Sequence, residues 1–339
     1  MSRNREAGGV TLEDVARLVG VSSITVSRAI NCPDKVATQT LEKVNRAIAR
    51  TGYVPNLLAG GLASRRSRLI AAIIPFMANS IFAEMVRAFS EILREAGYEV
   101  LLGETEFSEQ REESLLKTIL SRKPDGVLLT GINHTDSSRR RLLAAGIPIV
   151  ETWDLTPTPL DIVIGFSHER IGHAVADFLV GQKKYEQFGI VSATDRRALI
   201  RKDAFLDALS GYGIRNVKVS NVPAPTSFQL GRQGLTQLLS MGFSKGAIFF
   251  SSDTLAQGAM AEAQLRQLAI PEQLALVGFG DQPYAAYTYP PLTTVRFDLS
   301  EIGKQAASAL LARIDNKPVR KKVVDLGFNI VERATTYTD

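Results

Sequence analysis

The chain has 339 residues, of which 45% are hydrophobic and 22% charged, so its length predicts two or three compact units of ordinary globular composition. No run of about eighteen apolar residues occurs, which excludes a membrane-spanning helix, and the single cysteine, Cys32, excludes an internal disulfide. The net charge of +5 is unevenly spread, because residues 1–68 hold eleven Lys and Arg against five acids and the other 271 residues carry −1.

A basic N-terminal head predicts a polyanion partner, although a basic solvated surface would give the same charge. The first residues, MSRNREAGGVTLEDVA, lack the apolar core of a signal peptide. We therefore expect a cytoplasmic protein without a membrane partner.

Three short helices are predicted within residues 1–55. Thr11 and Asp14 have the spacing of a capping box, and Gly20 ends the apolar periodicity that follows. Ser22 can cap a second helix, and a third is predicted from Thr38 to the glycine at position 52. Two short helices around a glycine turn, with a third helix in support, predict a helix-turn-helix.

The second predicted helix has one apolar face and one face of short hydroxyl side chains. Its side chains left for solvent or a partner are Ser22, Ser23, Thr25, Ser27 and Arg28. Short hydroxyl groups allow a helix to lie deep in the major groove, and the fork of Arg28 matches guanine O6 and N7. Ser23 and Ile24, near the helix start, would face base edges. An ordinary small bundle with a hydroxyl-rich surface is the alternative.

Residues 56–68 predict a hinge helix and linker. The segment has two glycines in its middle, so the helix would be marginal in isolation, and Arg65, Arg66 and Arg68 follow it. Such a helix can become ordered on DNA and insert an apolar side chain, here Leu62, into the minor groove. A flexible linker is the alternative.

The segments VTLEDVARLVGVSSITVSRAIN and GYVPNLLAGGLAS, at this separation, closely resemble the LacI/GalR family of bacterial transcription regulators. The resemblance implies that the second helix reads the major groove of double-stranded operator DNA and that Ser23, Ile24 and Arg28 read bases. It also implies that the hinge helices of a dimer pair in the minor groove. The predicted DNA-binding residues are Thr11, Ser22, Ser23, Ile24, Thr25, Ser27, Arg28, Asn31, Tyr53, Asn56, Ala59 and Leu62.

From Leu69 onward, apolar strand patterns alternate with helical segments. The strand candidates are LIAAIIP, YEVLLGE, DGVLLTG, IPIVETW, DIVIGF, FGIVSA, VKVSNV, GAIFFSS and LALVGFG. This alternation predicts two doubly wound α/β lobes with parallel sheets of about five strands each. Ligands of such sheets bind at the carboxyl ends of the strands, in the crevice between lobes.

The same resemblance covers residues 69–339 and implies an effector-binding and dimerisation domain similar to periplasmic sugar-binding proteins. Lobe 1 would hold about 69–164 plus 297–318, and lobe 2 about 165–295 plus 322–339. The segments TDSSRRRLLAAGIPIVETWD, DRRALIRKDAF and VVDLGF are similar to the subgroup of gluconate operon repressors. This similarity implies a sugar-acid effector, namely gluconate, 2-ketogluconate or 6-phosphogluconate, that releases the protein from its operator.

The effector-binding residues are predicted from strand ends and from this resemblance. Arg197 and Arg201, four apart at a helix start, would share a face and hold the carboxylate, although a charged surface fits their spacing equally well. Gly280 stands where relatives that bind neutral sugars have an Asp, which weakens the assignment of Asp281. The predicted set is Phe76, Phe82, His134, Trp153, Phe166, Arg197, Arg201, Phe249, Ser252 and Asp281.

Other function classes fit the sequence less well. An enzyme is not expected, because no P-loop and no GxGxxG after the first strand occurs, and no catalytic residue, cofactor or metal is predicted. A transport solute-binding protein would not need the basic head. A family regulator that responds to a neutral sugar or another small metabolite, or that acts as a co-repressor or activator, stays open. We expect a homodimer, since no heptad helix for a higher oligomer is apparent.

Overall fold

The computed structural model describes residues 9–54, 66–77, 80–182 and 184–336. Contacts divide the chain into two compact units, Met1–Ser67 and Arg68–Asp339. None of the helices in the described ranges is long and apolar enough to cross a membrane.

The first unit is a small helical head. Its helices are α1 (Leu12–Val19), α2 (Ser23–Asn31) and α3 (Thr38–Thr51), with a 3₁₀ turn at Pro33–Lys35. The predicted capping box at Thr11 is present, and Gly20 ends α1 in the left-handed conformation with φ 76°. Val15, Val26 and Val44, one from each helix, are fully buried and form the core of the head.

The first lobe of the second unit is built on a parallel sheet. Its elements are β1 (Leu69–Ile74), α4 (Ser80–Glu95), β2 (Glu99–Glu104), α5 (Glu109–Leu120), β3 (Gly126–Thr130), α6 (Asp136–Ala145), β4 (Ile149–Thr152) and β5 (Ile162–Gly165). A late helix, α11 (Leu299–Ile314), returns to this lobe and packs on α4 and on β3 to β5. Gly303 permits this packing, because a Cβ there would lie 2.3 Å from the carbonyl oxygen of Met85.

The second lobe repeats the arrangement. Its elements are α7 (His168–Gly181), β6 (Phe188–Ala193), α8 (Arg196–Gly211), β7 (Val217–Val222), α9 (Phe228–Ser240), β8 (Gly246–Phe250), α10 (Asp253–Leu265), β9 (Leu274–Phe279), a 3₁₀ turn (Ala285–Tyr287), β10 (Thr293–Arg296) and β12 (Asn329–Val331). Strands β1, β3, β4, β6, β8 and β9 are almost wholly buried, which explains why they have continuous apolar runs.

Sheet pairing, which includes the short strand β11 (Val323–Asp325), corrects three details of the prediction. In the described part of the chain each sheet has six strands, in the orders β11-β5-β4-β3-β1-β2 and β12-β10-β9-β8-β6-β7. The two added strands, β11 and β12, are only three residues long and not continuously apolar, so the apolar pattern predicted only about five strands for each sheet. Strand β11 (Val323–Asp325) pairs in parallel with β5, so these residues belong to the sheet of the first lobe and not to lobe 2. Strand β12 is antiparallel to β10, an exception to the parallel rule.

Candidate functional site

Helix α2 of the head presents an exposed polar face with one large apolar side chain. Val26 and Ala29 are buried, while Val21 and Ile30 pack partly against the core, as the helical pattern predicts. Ile24 is 71% exposed. An exposed isoleucine beside hydroxyl groups is suited to contact with a thymine methyl in the major groove.

Several of the predicted DNA-binding residues form hydrogen bonds within the head. The Thr11 hydroxyl bonds Asp14 in the capping box at 2.7 Å, Ser22 caps α2 and contacts the Thr25 hydroxyl at 2.9 Å, and Asn31 Nδ2 donates to the Ser27 carbonyl at 2.9 Å. Ser23 is half-buried near the start of α2, Arg28 is exposed on it, and Tyr53 packs on the core of the head. Asn56, Ala59 and Leu62 lie outside the described residues.

A cavity lies at the carboxyl ends of the strands, between the two lobes of the second unit. About 560 Å³ of it lies outside protein atoms, a volume that includes the open solvent at its mouth. Among the described residues, the lining from the first lobe is apolar and aromatic, from Phe76, Ile81, Phe82, Phe107 and Trp153. The lining from the second lobe carries the polar and charged groups of the cavity. It consists of His168, Asp195, Arg197, Arg201, Ala224, Pro225, Thr226, Ser251, Ser252 and Phe279.

Arg201 is a buried cation that forms no ion pair with any acid in the described part of the chain. Its side chain extends from α8, and the residue is only 4% exposed. Nη1 donates to His168 Nδ1 at 2.8 Å, Nη2 donates to the Ser251 carbonyl at 3.0 Å, and the guanidinium lies 3.8 Å from the centre of the Phe279 ring. Among the described residues Nε has no hydrogen-bond partner and no acid forms an ion pair with Arg201. Burial lowers the pKa of Arg201 to about 10, so the group stays charged at neutral pH.

His168 is held as the neutral tautomer that carries its hydrogen on Nε2. A guanidinium only donates, so His168 Nδ1 must accept the bond from Arg201. Burial, followed by the charges of Arg201 and Arg197, lowers the pKa of His168 well below its ordinary value. Nε2 therefore carries a buried N–H that lies 3.6 Å from Asp154 Oδ1, and a hydrogen bond with the Trp153 backbone opposes the lowering of the pKa.

Arg197 connects the two lobes. It begins α8 of the second lobe, and its Nε donates to Asp154 Oδ2 at 2.9 Å while Nη2 donates to the Thr130 carbonyl at 2.8 Å. Burial raises the pKa of Asp154, and the neighbouring Arg197 opposes that rise. The charge of Arg197 is thus paired with a carboxylate through a hydrogen bond, whereas Asp195 and Asp154 act on Arg201 only from a greater distance.

Two glycines allow this arrangement. Helix α7 lies so close to α8 at Gly172 that a Cβ there would be 2.4 Å from the Arg201 carbonyl oxygen. The close approach places His168, at the start of α7, beside the Arg201 guanidinium. At Gly165 a Cβ would lie 2.4 Å from the Asp154 carbonyl oxygen, so this glycine admits the loop that carries Trp153 and Asp154.

Aromatic rings line the apolar wall and continue beneath it. Phe82 and Trp153 have ring centroids 4.7 Å apart, and Trp153 Nε1 donates to Met85 Sδ at 3.1 Å. Phe297 lies 5.3 Å from Trp153 and stacks on Phe166 at 4.2 Å. These contacts fix the orientation of the Trp153 indole that borders the cavity.

Six of the ten predicted effector residues border the cavity, namely Phe76, Phe82, Trp153, Arg197, Arg201 and Ser252. Phe166 and Phe249 do not, because both are fully buried in the core beneath it. Asp281 does not, because Arg296 and Arg333 hold it in ion pairs at another opening.

His134 also lies outside the cavity, in a buried cluster of the first lobe. Its Nδ1 is 2.7 Å from Glu112 Oε1 and its Nε2 is 3.3 Å from Glu151 Oε1. Burial lowers the pKa of His134, but the two carboxylates outweigh burial and raise it to about 9. The residue is therefore a protonated bridge between two acids, not a ligand contact.

Several cavity residues were not in the predicted set. His168 and Asp195 stand at strand ends, so their position was a signal, and Ser251 precedes the predicted Ser252. Ile81, Phe107 and Phe279 have the appearance of ordinary core residues in the sequence, and Ala224, Pro225 and Thr226 lie in a loop after β7. No local pattern distinguishes these side chains, because the fold brings them together from distant segments.

Comparisons with known proteins place both units. Residues 11–56 match the family model described as bacterial regulatory proteins, lacI family, and residues 168–336 match the periplasmic binding protein-like domain. The HTH-type transcriptional regulator GntR of Pseudomonas aeruginosa is 39% identical over 333 residues, which are 98% of this chain and 97% of that protein.

Solved structures agree with these matches. A LacI-family transcriptional regulator from Silicibacter pomeroyi superposes with a TM-score of 0.89 at 29% identity, covering 97% of this chain and all of that one. The lac repressor dimer bound to operator and an anti-inducer gives a TM-score of 0.81 at 26% identity, covering 98% of this chain and all of that one.

Proposed function

Since this chain belongs to the LacI family of bacterial transcriptional regulators, and so is a DNA-binding regulator and not an enzyme, we propose that it represses sugar-acid catabolism genes and leaves its operator when a sugar acid binds. One observation carries the effector assignment, namely the buried Arg201 guanidinium that has no carboxylate partner among the described residues. A buried charge is stabilised when an opposite charge is bound beside it, so the cavity favours an anion over a neutral sugar.

The carboxylate of the effector binds between Arg201 and His168. Both side chains line the cavity, and Arg201 Nε has no hydrogen-bond partner in the described structure. A carboxylate accepts several hydrogen bonds through its two oxygens and pairs with the guanidinium of Arg201. The polar side chains of Thr226, Ser251 and Ser252 supply partners for hydroxyl groups of the polyol.

The carbon chain of the effector packs on the aromatic wall of the first lobe. Phe82 and Trp153 present ring surface to the cavity opposite the charged wall. A sugar acid bound in this way contacts both lobes at once. Its binding free energy therefore favours one arrangement of the lobes over another, which is the requirement for a ligand to shift a conformational equilibrium. The bridge from Arg197 to Asp154 and Thr130 is the protein contact that such a shift would change.

The head binds double-stranded operator DNA through α2. Ile24 and Arg28, both exposed, contact base edges with Ser23 at the helix start, while Ser22, Thr25, Ser27 and Asn31 contact phosphates or hold the helix in place. We assign the action of the protein to the cytoplasm, on nucleoid DNA.

The second unit dimerises. Two tyrosines of the second lobe, Tyr287 and Tyr289, are 88% and 99% exposed, and Phe228 is half exposed near them through its ring contact with Tyr284. Aromatic side chains are enriched in subunit interfaces. A dimer also fits the lac repressor, whose solved structure is a dimer on its operator.

Calorimetric titration of the full chain tests the effector assignment. Gluconate, 2-ketogluconate and 6-phosphogluconate are compared with glucose, a neutral sugar of similar size. Binding of at least one acid, with glucose at least about tenfold weaker, supports an anionic effector. Equal binding of glucose, or no binding of any acid, contradicts it. In a separate measurement, an acid that weakens operator binding is an inducer, and one that strengthens operator binding is a co-repressor.

A further inference from the structure

A row of basic side chains lies along one edge of the first lobe, outside both the head and the effector cavity. The loop between α11 and β11 contains Arg320, Lys321 and Lys322, and the loop between α5 and β3 contains Arg122 and Lys123. All five side chains are exposed, and among the described residues none forms an ion pair or hydrogen bond with an acid.

Topology brings the two loops to the same edge, which we call the amino edge. Every pair of strands in this sheet is parallel, so all of its strands begin at one side. Lys322 precedes β11 and its carbonyl accepts a hydrogen bond from Val163 at the start of β5, while Lys123 lies just before β3. Strand β11 is three strand spacings from β3, so the two basic loops lie about 14 Å apart along the edge.

The acids nearest the two loops are fewer than the five basic side chains. Asp161 pairs with Arg313 at 3.1 Å and Asp315 pairs with Lys317 at 3.3 Å, while Asp125 accepts a hydrogen bond from the uncharged backbone N–H of Arg68 and leaves one carboxylate beside the five cations. Glu95 and Glu99 lie at the β2 end of the edge, away from the loop that precedes β11. The edge near β11 and β3 therefore keeps an uncompensated positive charge.

The chain enters the second unit at this same edge. Strand β1 begins at Leu69, directly after Arg68, and Ile70 pairs with Gly126 at the start of β3. Thirteen residues lie between Val54 of the head and Arg68, and an extended chain from one to the other spans at most about 50 Å. The amino edge is therefore the part of the second unit to which the chain from the head is directly joined.

We propose that the amino edge binds phosphates of the DNA that flanks the operator, through Arg320, Lys321 and Lys322 with Arg122 and Lys123. The contact is independent of base sequence, because exposed Lys and Arg side chains neutralise phosphates without reading base edges. This inference rests on operator binding by the head, and it adds affinity and salt dependence to that binding.

The test compares two duplexes and two charge-matched variants of the full chain. An operator selected from a random duplex library is prepared at minimal length and with about two helical turns of flanking DNA on each side. The variant is Lys321→Gln with Lys322→Gln. The control, Arg215→Gln with Lys245→Gln, removes the same charge from exposed positions that precede β7 and β8 in the second lobe.

Fluorescence anisotropy at several salt concentrations gives the affinity and its salt slope. We expect flanking DNA to strengthen binding of the unmodified chain and of the control, and the Lys321/Lys322 variant to lose that gain while binding the minimal operator normally. For this variant on the long duplex, the slope of log affinity against log salt concentration should fall in magnitude by about 2 per subunit. Two phosphate contacts are removed, and each contributes about 0.9 to that slope. An unmodified chain that binds both duplexes equally, or a variant that weakens equally on both, overturns the proposal. Failure of any form to bind the minimal operator would instead contradict operator binding by the head.

Discussion

Replacement of Arg201 by methionine tests whether the charge of this residue serves ligand binding or the stability of the fold. Burial lowers the pKa of Arg201 from 12.5 to about 10. At neutral pH the guanidinium is charged in the folded and in the unfolded chain, so this shift corresponds to about 3 kcal/mol that destabilises the folded chain without effector. The hydrogen bonds to His168 and the Ser251 carbonyl contribute a similar amount in the opposite direction. Methionine keeps the apolar volume, so the free energy of unfolding should change by less than about 1–2 kcal/mol.

Effector binding should respond very differently to the same substitution. Loss of one partner from a buried, hydrogen-bonded charge pair costs about 2–5 kcal/mol, so affinity for the sugar acid should fall by about 30-fold or more. Urea unfolding and calorimetric titration measure the two quantities on one preparation. Full affinity in Arg201→Met would refute the carboxylate assignment.

Arg197→Met is the matched control for stability. It removes the partner of a buried carboxylate, Asp154, and should lower the free energy of unfolding by about 3 kcal/mol. If Arg201→Met were as unstable as Arg197→Met, the charge of Arg201 would already be satisfied within the protein. The argument for an anionic effector would then fail.

Three further predictions concern other parts of the molecule. The pKa of His134 is raised to about 9 from an ordinary 6.5, so protonated His134 stabilises the fold by about 3 kcal/mol below about pH 6.5 and loses this effect as pH rises through 9. His134→Asn should therefore flatten the plot of unfolding free energy against pH between 6.5 and 9, measured by urea unfolding, and an unchanged slope would contradict it. Gly172→Ala should separate α7 from α8 and weaken effector binding in titration, whereas Gly181→Ala, where a Cβ meets nothing within 4 Å, should be neutral; equal effects would refute the steric argument. Arg28→Ala should lose about 1–3 kcal/mol of discrimination at one operator base pair in competition binding, and uniform weakening on all sequences would instead indicate a phosphate contact.

Local patterns were sufficient to predict the head. The Thr11 capping box, the glycine at position 20 and the serine cap of α2 act within a few residues, so the structure confirms each of them. The strands of both lobes were predictable for a related reason, because burial on both faces produces continuous apolar runs. The three-residue β11 was predicted in the wrong lobe, since its sheet is decided by pairing with β5 and not by its own residues.

The cavity was only partly predictable, because its members come from distant segments. Arg197 and Arg201 were found through their spacing on one helix, but their different electrostatic states depend on Asp154 and His168. His134 was expected at the ligand because it follows a strand end. It instead lies between Glu112 and Glu151, one from a neighbouring helix and one from a neighbouring strand.

The most direct test of the account is the affinity of the full chain for its selected operator with and without sugar acid, measured by fluorescence anisotropy at fixed salt. The account predicts that at least one of gluconate, 2-ketogluconate and 6-phosphogluconate weakens operator binding by about 5–150-fold, and that Arg201→Met binds operator normally but does not respond. Operator affinity that is unchanged by all three acids would contradict it.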